Sequence, residues 1–207
     1  MSDNWLQRWN DRYQEKEFAY GTEPNEFLKE QLQSLEPKTI LFGAEGEGRN
    51  AVFAAKLGWN VSAFDISTEG RNKALTLATQ YKVTINYQVG LLPELQFNDE
   101  PFDAIALIYA HFPPAIKTEY HTLLSNKLKK GGLVILEAFS KNNLTYRNEN
   151  PGVGGPANLE SLFSIDELKS DFSNFEPLLL EEKVIELHEG LYHNGTGSVV
   201  RFVGRKQ

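Results

Sequence analysis

The feature that most constrains this chain is a series of short apolar runs, each followed by a helix-like stretch. FDAIALIYAHF (102–112) is apolar almost throughout. A strand with one wet face alternates polar and apolar side chains. A continuous run needs cover on both faces, the condition of a central strand in a parallel sheet. TILF (39–42), NVSAFDIS (60–67), VTINYQVG (83–90) and GGLVILEAF (131–139) read as further strands. Between them RNAVFAAKLG (49–58), closed by Gly58, TEGRNKALTLATQY (68–81) and residues 114–129 read as helices. Two amphipathic helices, 4–16 and 24–35, come first, with Pro24 expected in the opening turn of the second. This alternation predicts an α/β fold with a doubly wound sheet.

The end of the chain breaks the alternation. KVIELHEG (183–190) and GSVVRFVGRK (197–206) are strand-like and joined by only six residues. That spacing predicts an antiparallel hairpin on an otherwise parallel sheet, making seven strands in all. The length, 207 residues, suits a single domain, 1–207. Within it we expect an N-terminal helical cap over 1–36 and an active-site loop over 140–164, a stretch too long and too rich in Gly, Asn and Pro for a simple connection.

Composition removes several function classes. A net charge of −7 lacks the basic footprint of a nucleic-acid binder. There is no cysteine, so disulfides, thiolate nucleophiles and cysteine-based zinc sites are excluded. The two histidines near the closing hairpin, His188 and His193, lack a carboxylate-rich ligand pattern, and no metal is expected. The polar opening MSDNWLQRWN and the lack of a long apolar run point to a cytoplasmic protein without membrane contact. It is expected to be a monomer or a homodimer.

The glycine-rich turn AEGEG (44–48) joins the first strand of the sheet to a helix, where ligands bind in such folds. Two cofactor classes compete for it. Gly46-x-Gly48-x-x-Ala51, with Asp65 ending the next strand, matches a dinucleotide fingerprint and so an NAD(P)-dependent oxidoreductase. A pyrophosphate there would meet Glu45 and Glu47, and like charges repel. S-adenosylmethionine has no phosphate. Its sulfonium or ammonium could face a carboxylate, and Asp65 offers an acceptor pair to its ribose. Alternatively, Glu45 and Glu47 only complement the helix dipole.

Several stretches, in their order and spacing, carry a resemblance: WNDRY, FAYGTEPNEFL, GEGRNAVFAAKLGWNVSAFDIS, FDAIALIYAHFPP, LKKGGLVILEAF, GVGGP and HEGLYHNGTGSVVRFVGRK. Together they resemble the small class I S-adenosylmethionine-dependent methyltransferases of the tellurite-resistance and thiopurine-methyltransferase-like group, over nearly the whole chain. The resemblance implies a Rossmann-like methyltransferase fold, S-adenosyl-L-methionine as cofactor and a small-molecule methyl acceptor, such as a thiol or a selenium or tellurium compound. It assigns cofactor binding to Arg12 and Tyr20 in a closing N-terminal segment, and to Gly43, Ala44, Glu45, Gly46, Gly48 and Asn50 around the turn. Asp65, Ile66 and Ser67, then Leu91 and Leu92, then Tyr109 and Ala110 complete the set.

Gly46 and Gly48 are expected to allow close backbone approach. His111, ending the fourth strand, is the expected general base, against a role confined to packing or to a backbone carbonyl. Arg12 would pair with the cofactor carboxylate, whereas Trp5, Trp9 and Tyr13 read as a docking face. Arg147, residues 152–156, His188, Tyr192 and His193 are candidates for the acceptor pocket. Phe42, Ala44 and Gly90 stand where the family places an acid, a glycine and an adenine-reading Asp. They motivate an alternative, a degenerate protein that binds the cofactor without turnover.

Overall fold

The computed structural model describes residues 3–97 and 100–207. In chain order the elements are α1 (Asp3–Tyr13), α2 (Glu26–Gln33), β1 (Thr39–Gly43), α3 (Arg49–Lys56), β2 (Asn60–Asp65), α4 (Thr68–Gln80), β3 (Asn86–Val89), β4 (Phe102–Ile108), α5 (Pro114–Asn126), β5 (Leu128–Phe139), α6 (Asn143–Glu149), α7 (Ile165–Asp171), β6 (Phe175–Glu189) and β7 (His193–Lys206). The sheet has seven strands in the order β3-β2-β1-β4-β5-β7-β6. β1 to β5 pair in parallel. β7 runs antiparallel between β5 and β6.

The continuous apolar run of β4 has the cover it requires. Ala104, Ala106 and Ile108 pack with α2, α3 and α4 on one face, and Ile105 and Leu107 with α5 and α7 on the other. Each large side chain so buried contributes about 1.5–3 kcal/mol. Phe42, at the place of the family's acid, belongs to the first of these cores and is fully buried. It is a packing residue here.

Several boundaries differ from expectation. Pro24 lies outside α2. Asn25 is its N-cap, accepting from Leu28 N–H with its side chain at 3.0 Å. The hairpin strands are far longer than their apolar runs, and residues 190–192 alone join them. β6 is an edge strand, broken by a register shift between Pro177 and Leu179 and mostly exposed, so no alternation marks its first half. The stretch 140–164 is ordered rather than loose. It holds α6, and it is bonded to the sheet through Ser140 N–H to Ser198 O (2.9 Å) and Phe163 N–H to Phe139 O (3.1 Å). No described helix is long and apolar enough to cross a membrane.

Candidate active site

The strand order reverses direction at β1 and β4, and a crevice opens at their carboxyl ends. There a cavity of about 380 Å³ is lined from below by Ala44, Asp65, Ile66, Gly90, Ile108 and Tyr109. Trp5, Arg8, Trp9, Arg12 and Tyr13 of α1 cover it from above. Phe139, Gly155, Pro156, Ser161 and His193 close a further side. The α1 aromatics thus face the cavity as well as docking the helix, and Trp9 stacks on Tyr13 at 5.5 Å.

Two non-glycine residues flank the crevice with left-handed backbones, Ala44 at φ 53° and Tyr109 at φ 52°. Ala44 occupies the turn's first glycine place at a cost of about 1–2 kcal/mol. Such strain persists where the surroundings over-determine it, here in the two turns leaving β1 and β4.

Three amides of the glycine turn are engaged within the protein. Glu45 N–H donates to Phe64 O (3.1 Å), Gly46 N–H to Asp65 Oδ2 (3.0 Å) and Gly48 N–H to Glu45 O (3.4 Å). The Glu45 carboxyl accepts from Ala51 N–H at 2.7 Å, so it sits on the first turn of α3. Burial pushes Glu45 up to about 8, against the pull of the α3 amides and of Arg49. A cation in the cavity would favour its ionised form. Glu47 turns away from the cavity. Its carboxylate accepts from Ala19 N–H (2.8 Å) and from Lys73 Nζ (2.7 Å), tying the segment after α1 to α4. Glu47 therefore faces no cofactor.

Asp65 ends β2 at the cavity, held by Gly46 N–H on Oδ2 and by Ser67 N–H on Oδ1 at 2.9 Å. Burial raises its carboxyl to about 6, with the surrounding backbone donors working the other way. Each oxygen keeps a lone pair for a ligand hydroxyl.

Of the residues expected to bind cofactor, Arg12, Tyr20, Ala44, Glu45, Asn50, Asp65, Ile66 and Tyr109 line the cavity. Gly43, Gly46, Gly48, Ser67, Leu91, Leu92 and Ala110 are not among its lining residues. A Cβ on Gly46 would lie 2.6 Å from the Tyr13 hydroxyl, and one on Gly48 2.5 Å from the Ala74 Cβ. Their close approach is therefore to α1 and α4 rather than to a ligand. Gly43 is wedged between Leu107 and Phe64. Ser67 caps α4, accepting from Gly70 N–H, and its hydroxyl donates to Asn10. Leu92 and Ala110 are core residues. Gly90, expected only as a departure, forms part of the lining itself.

His111 lines the cavity, but both its nitrogens are engaged. Nδ1–H donates to Ser161 O at 2.8 Å, and Phe139 N–H donates to Nε2 at 3.3 Å. Burial lowers it to about 4. A neutral imidazole bonded to backbone on both sides is a strut between β5 and residue 161, an arrangement that disfavours the expected role of base at His111.

His193 is placed differently. Its Nδ1 donates to Glu189 Oε2 at 2.9 Å, directly across the hairpin. Burial opposes ionisation of Glu189, but Arg49 and His193 more than offset it and bring it down to about 2. The tip of the hairpin packs on the start of the chain: Leu191 N–H donates to Ala19 O (2.8 Å), and Arg49 Nη2 meets Glu189 Oε2 (3.0 Å). Asn25 Nδ2 bridges Glu189 (3.2 Å) and Glu137 (2.6 Å), and Arg201 Nε closes on Glu137 at 2.6 Å. None of this network stood out in the sequence except His193. The signal that could have found its Glu189 partner is the Glu-x-x-x-His spacing at a short hairpin tip. His188 is exposed on β6 and lies outside the lining, as does Tyr192, whose ring carries the Arg12 guanidinium at 4.3 Å. Arg147 stays outside too, donating to Gly155 O at 3.0 Å and so holding the cavity wall.

The donor set fits S-adenosylmethionine better than a dinucleotide. A pyrophosphate needs free amides at the start of α3, and Glu45 fills that place.

Sequence and fold comparisons agree with this geometry. Residues 40–132 match a family described as a methyltransferase domain. No curated protein sequence matches the chain. Among solved structures, a protein described under the conversion of a disulfide bond into a thioacetal group during echinomycin biosynthesis is similar at TM-score 0.76 and 17% identity, over 100% of this chain and 93% of that one. A SAM-dependent methyltransferase from Anabaena variabilis is similar at 0.69 and 19%, over 99% and 94%. TehB from Haemophilus influenzae is similar at 0.70 and 16%, over 98% and 67%. Residues 40–132 thus resemble a methyltransferase domain, and the whole chain shares the α/β fold of these solved structures; a domain of the matched kind takes S-adenosyl-L-methionine as its cofactor.

Proposed function

We propose that this chain transfers a methyl group from S-adenosyl-L-methionine to a small-molecule acceptor. The observation that carries this reading is Glu45, a carboxyl seated on the α3 N-terminus beside a turn whose Glu45, Gly46 and Gly48 amides are already bonded. Such a turn disfavours phosphate and tolerates a cation. Asp65 receives the ribose hydroxyls, with Ile66 and Gly90 bounding the adenine end. Glu45 and Asn50 lie towards the amino-acid end, and Arg12 is the partner for its carboxylate. When bound, the cofactor supplies an activated methyl on a sulfonium, already a good leaving group. What remains for the protein is to align acceptor with methyl and keep water out, which the α1 aromatics and the 152–156 segment are placed to do. The cavity volume of about 380 Å³ suits small ligands.

Calorimetric titration with S-adenosylmethionine, S-adenosylhomocysteine and NADPH tests this reading. The first two bind and NADPH does not. Binding of NADPH alone would return the site to the oxidoreductases. Cofactor binding without transfer to any thiol, selenol, tellurite or small amine would favour the degenerate alternative, for which the strained Ala44 is the one structural argument.

A further inference from the structure

We propose that His193 is the general base of this methyl transfer and Glu189 its positioning residue, so that the acceptor is a flat, apolar thiol or phenol that arrives still protonated. The inference rests on the methyl-transfer reading above. Its basis is geometric. The Nδ1 of His193 donates to Glu189 at 2.9 Å, and Glu189 is itself fixed by Arg49 at 3.0 Å. The proton is thereby held on Nδ1, and Nε2 keeps its lone pair. A carboxylate that orients an imidazole and stabilises its charged form is the arrangement a general base requires. His193 lines the cavity, whereas both nitrogens of His111, the other histidine there, are bonded to backbone.

The surroundings keep the ring neutral and receptive. Burial lowers His193, Glu189 pulls it up, and Arg49 from α3 and Arg12 from α1 push it down. Tyr20 after α1 and Tyr109 after β4 face it with their rings, each at 4.5 Å between centroids, and Phe139 at 5.0 Å. All three rings line the cavity and give an acceptor beside His193 an aromatic, apolar wall, which favours a planar apolar skeleton. Gly154 has no side chain where a Cβ would stand 2.7 Å from His193 Cδ2, so the backbone of the 152–156 segment closes directly over the ring. In the step itself, the acceptor's S–H or O–H proton passes to Nε2, its lone pair forms the bond to the methyl carbon, and the electrons of the broken carbon–sulfur bond return to the cofactor sulfur. Glu189 then faces an imidazolium. Acceptors already ionised at neutral pH, such as selenolates, need no such base.

The test uses two probes at pH 7 with S-adenosylmethionine: benzyl mercaptan, protonated at that pH, and selenophenol, ionised. His193→Asn keeps an amide N–H where Nδ1 stands, and so keeps the bond to Glu189, but offers no base. We expect it to lose about 100-fold or more in kcat/KM for benzyl mercaptan and at least tenfold less than that for selenophenol. Equal losses on both probes, no loss on either, or a wild type that never methylates the mercaptan would overturn the proposal. Nitrogen NMR of the wild type with S-adenosylhomocysteine gives a readout that needs neither turnover nor the variant. The imidazole of His193 should carry its proton on Nδ1, and a proton on Nε2 instead would also overturn the proposal. A protein that fails to bind S-adenosylmethionine by calorimetry sinks the methyl-transfer reading itself, a separate outcome.

Discussion

Asp65 and Glu45 are carboxyl groups whose burial sets them against ionisation, and a bound cofactor changes that balance. Asp65 titrates near 6 in the folded protein and near ~3.9 in an unfolded chain. Below the lower value both states are protonated. Between the two, the folded protein holds a proton that the unfolded chain has lost. The stability this confers is therefore full at low pH and gone as pH rises through about 6. Ribose hydroxyls donate to the ionised form, so binding expels that proton. Affinity for S-adenosylmethionine should fall by about tenfold per pH unit below 6. Calorimetry at pH 5 and 7, in buffers of different ionisation heats, reads both the affinity and the proton. Asp65→Ala should weaken binding by about 1–3 kcal/mol, and unchanged affinity in a folded variant would remove Asp65 from the site. Gly48→Ala acts elsewhere. The new Cβ meets Ala74 at 2.5 Å with φ at +85°, and overpacking with strain should cost about 2–4 kcal/mol in a denaturant melt.

At the scale of elements, what could be read in the sequence follows burial. β4 and β1 announced themselves because both faces are covered. α4 was legible from its pattern over 68–81, and Ser67 caps it. The second half of β6 was legible in KVIELHEG, but its first half was not, because an exposed edge segment carrying Pro177 and a scatter of Glu obeys no alternation. α7 was passed over although Ser164 and Glu167 form a capping box, with Glu167 accepting from Ser164 N–H at 2.8 Å. Ser164→Ala should cost about 1 kcal/mol in stability and leave cofactor affinity unchanged, α7 lying outside the cavity lining. The site divides in the same way. Asp65 and Ala44 are local to strand ends and were legible there. Gly46 and Gly48 were legible as tight positions but not as to what approaches them, since α1 and α4 arrive from elsewhere in the chain. The bonds of His111 were not legible because its partners, Ser161 and Phe139, are distant in sequence.

Across the whole molecule, a buried polar network spans Asn25, Arg49, Glu137, Glu189, His193 and Arg201. Glu189 is held near 2, against ~4.3 in an unfolded chain. Its contribution is present above the unfolded value and lost as pH falls towards 2, about 3 kcal/mol in all. Acid unfolding monitored by circular dichroism should accordingly steepen below pH 4, and Glu189→Gln should blunt that slope. The same network has a consequence for synthesis. Leu191 bonds to Ala19, and Glu189 to Arg49, so the hairpin made late supports the helices made early. On the ribosome, the first five strands can emerge and pair while the crevice still lacks its last wall. Any message cut short before the hairpin would yield a chain with the sheet's parallel core and no finished pocket, ready for proteolysis before it could act.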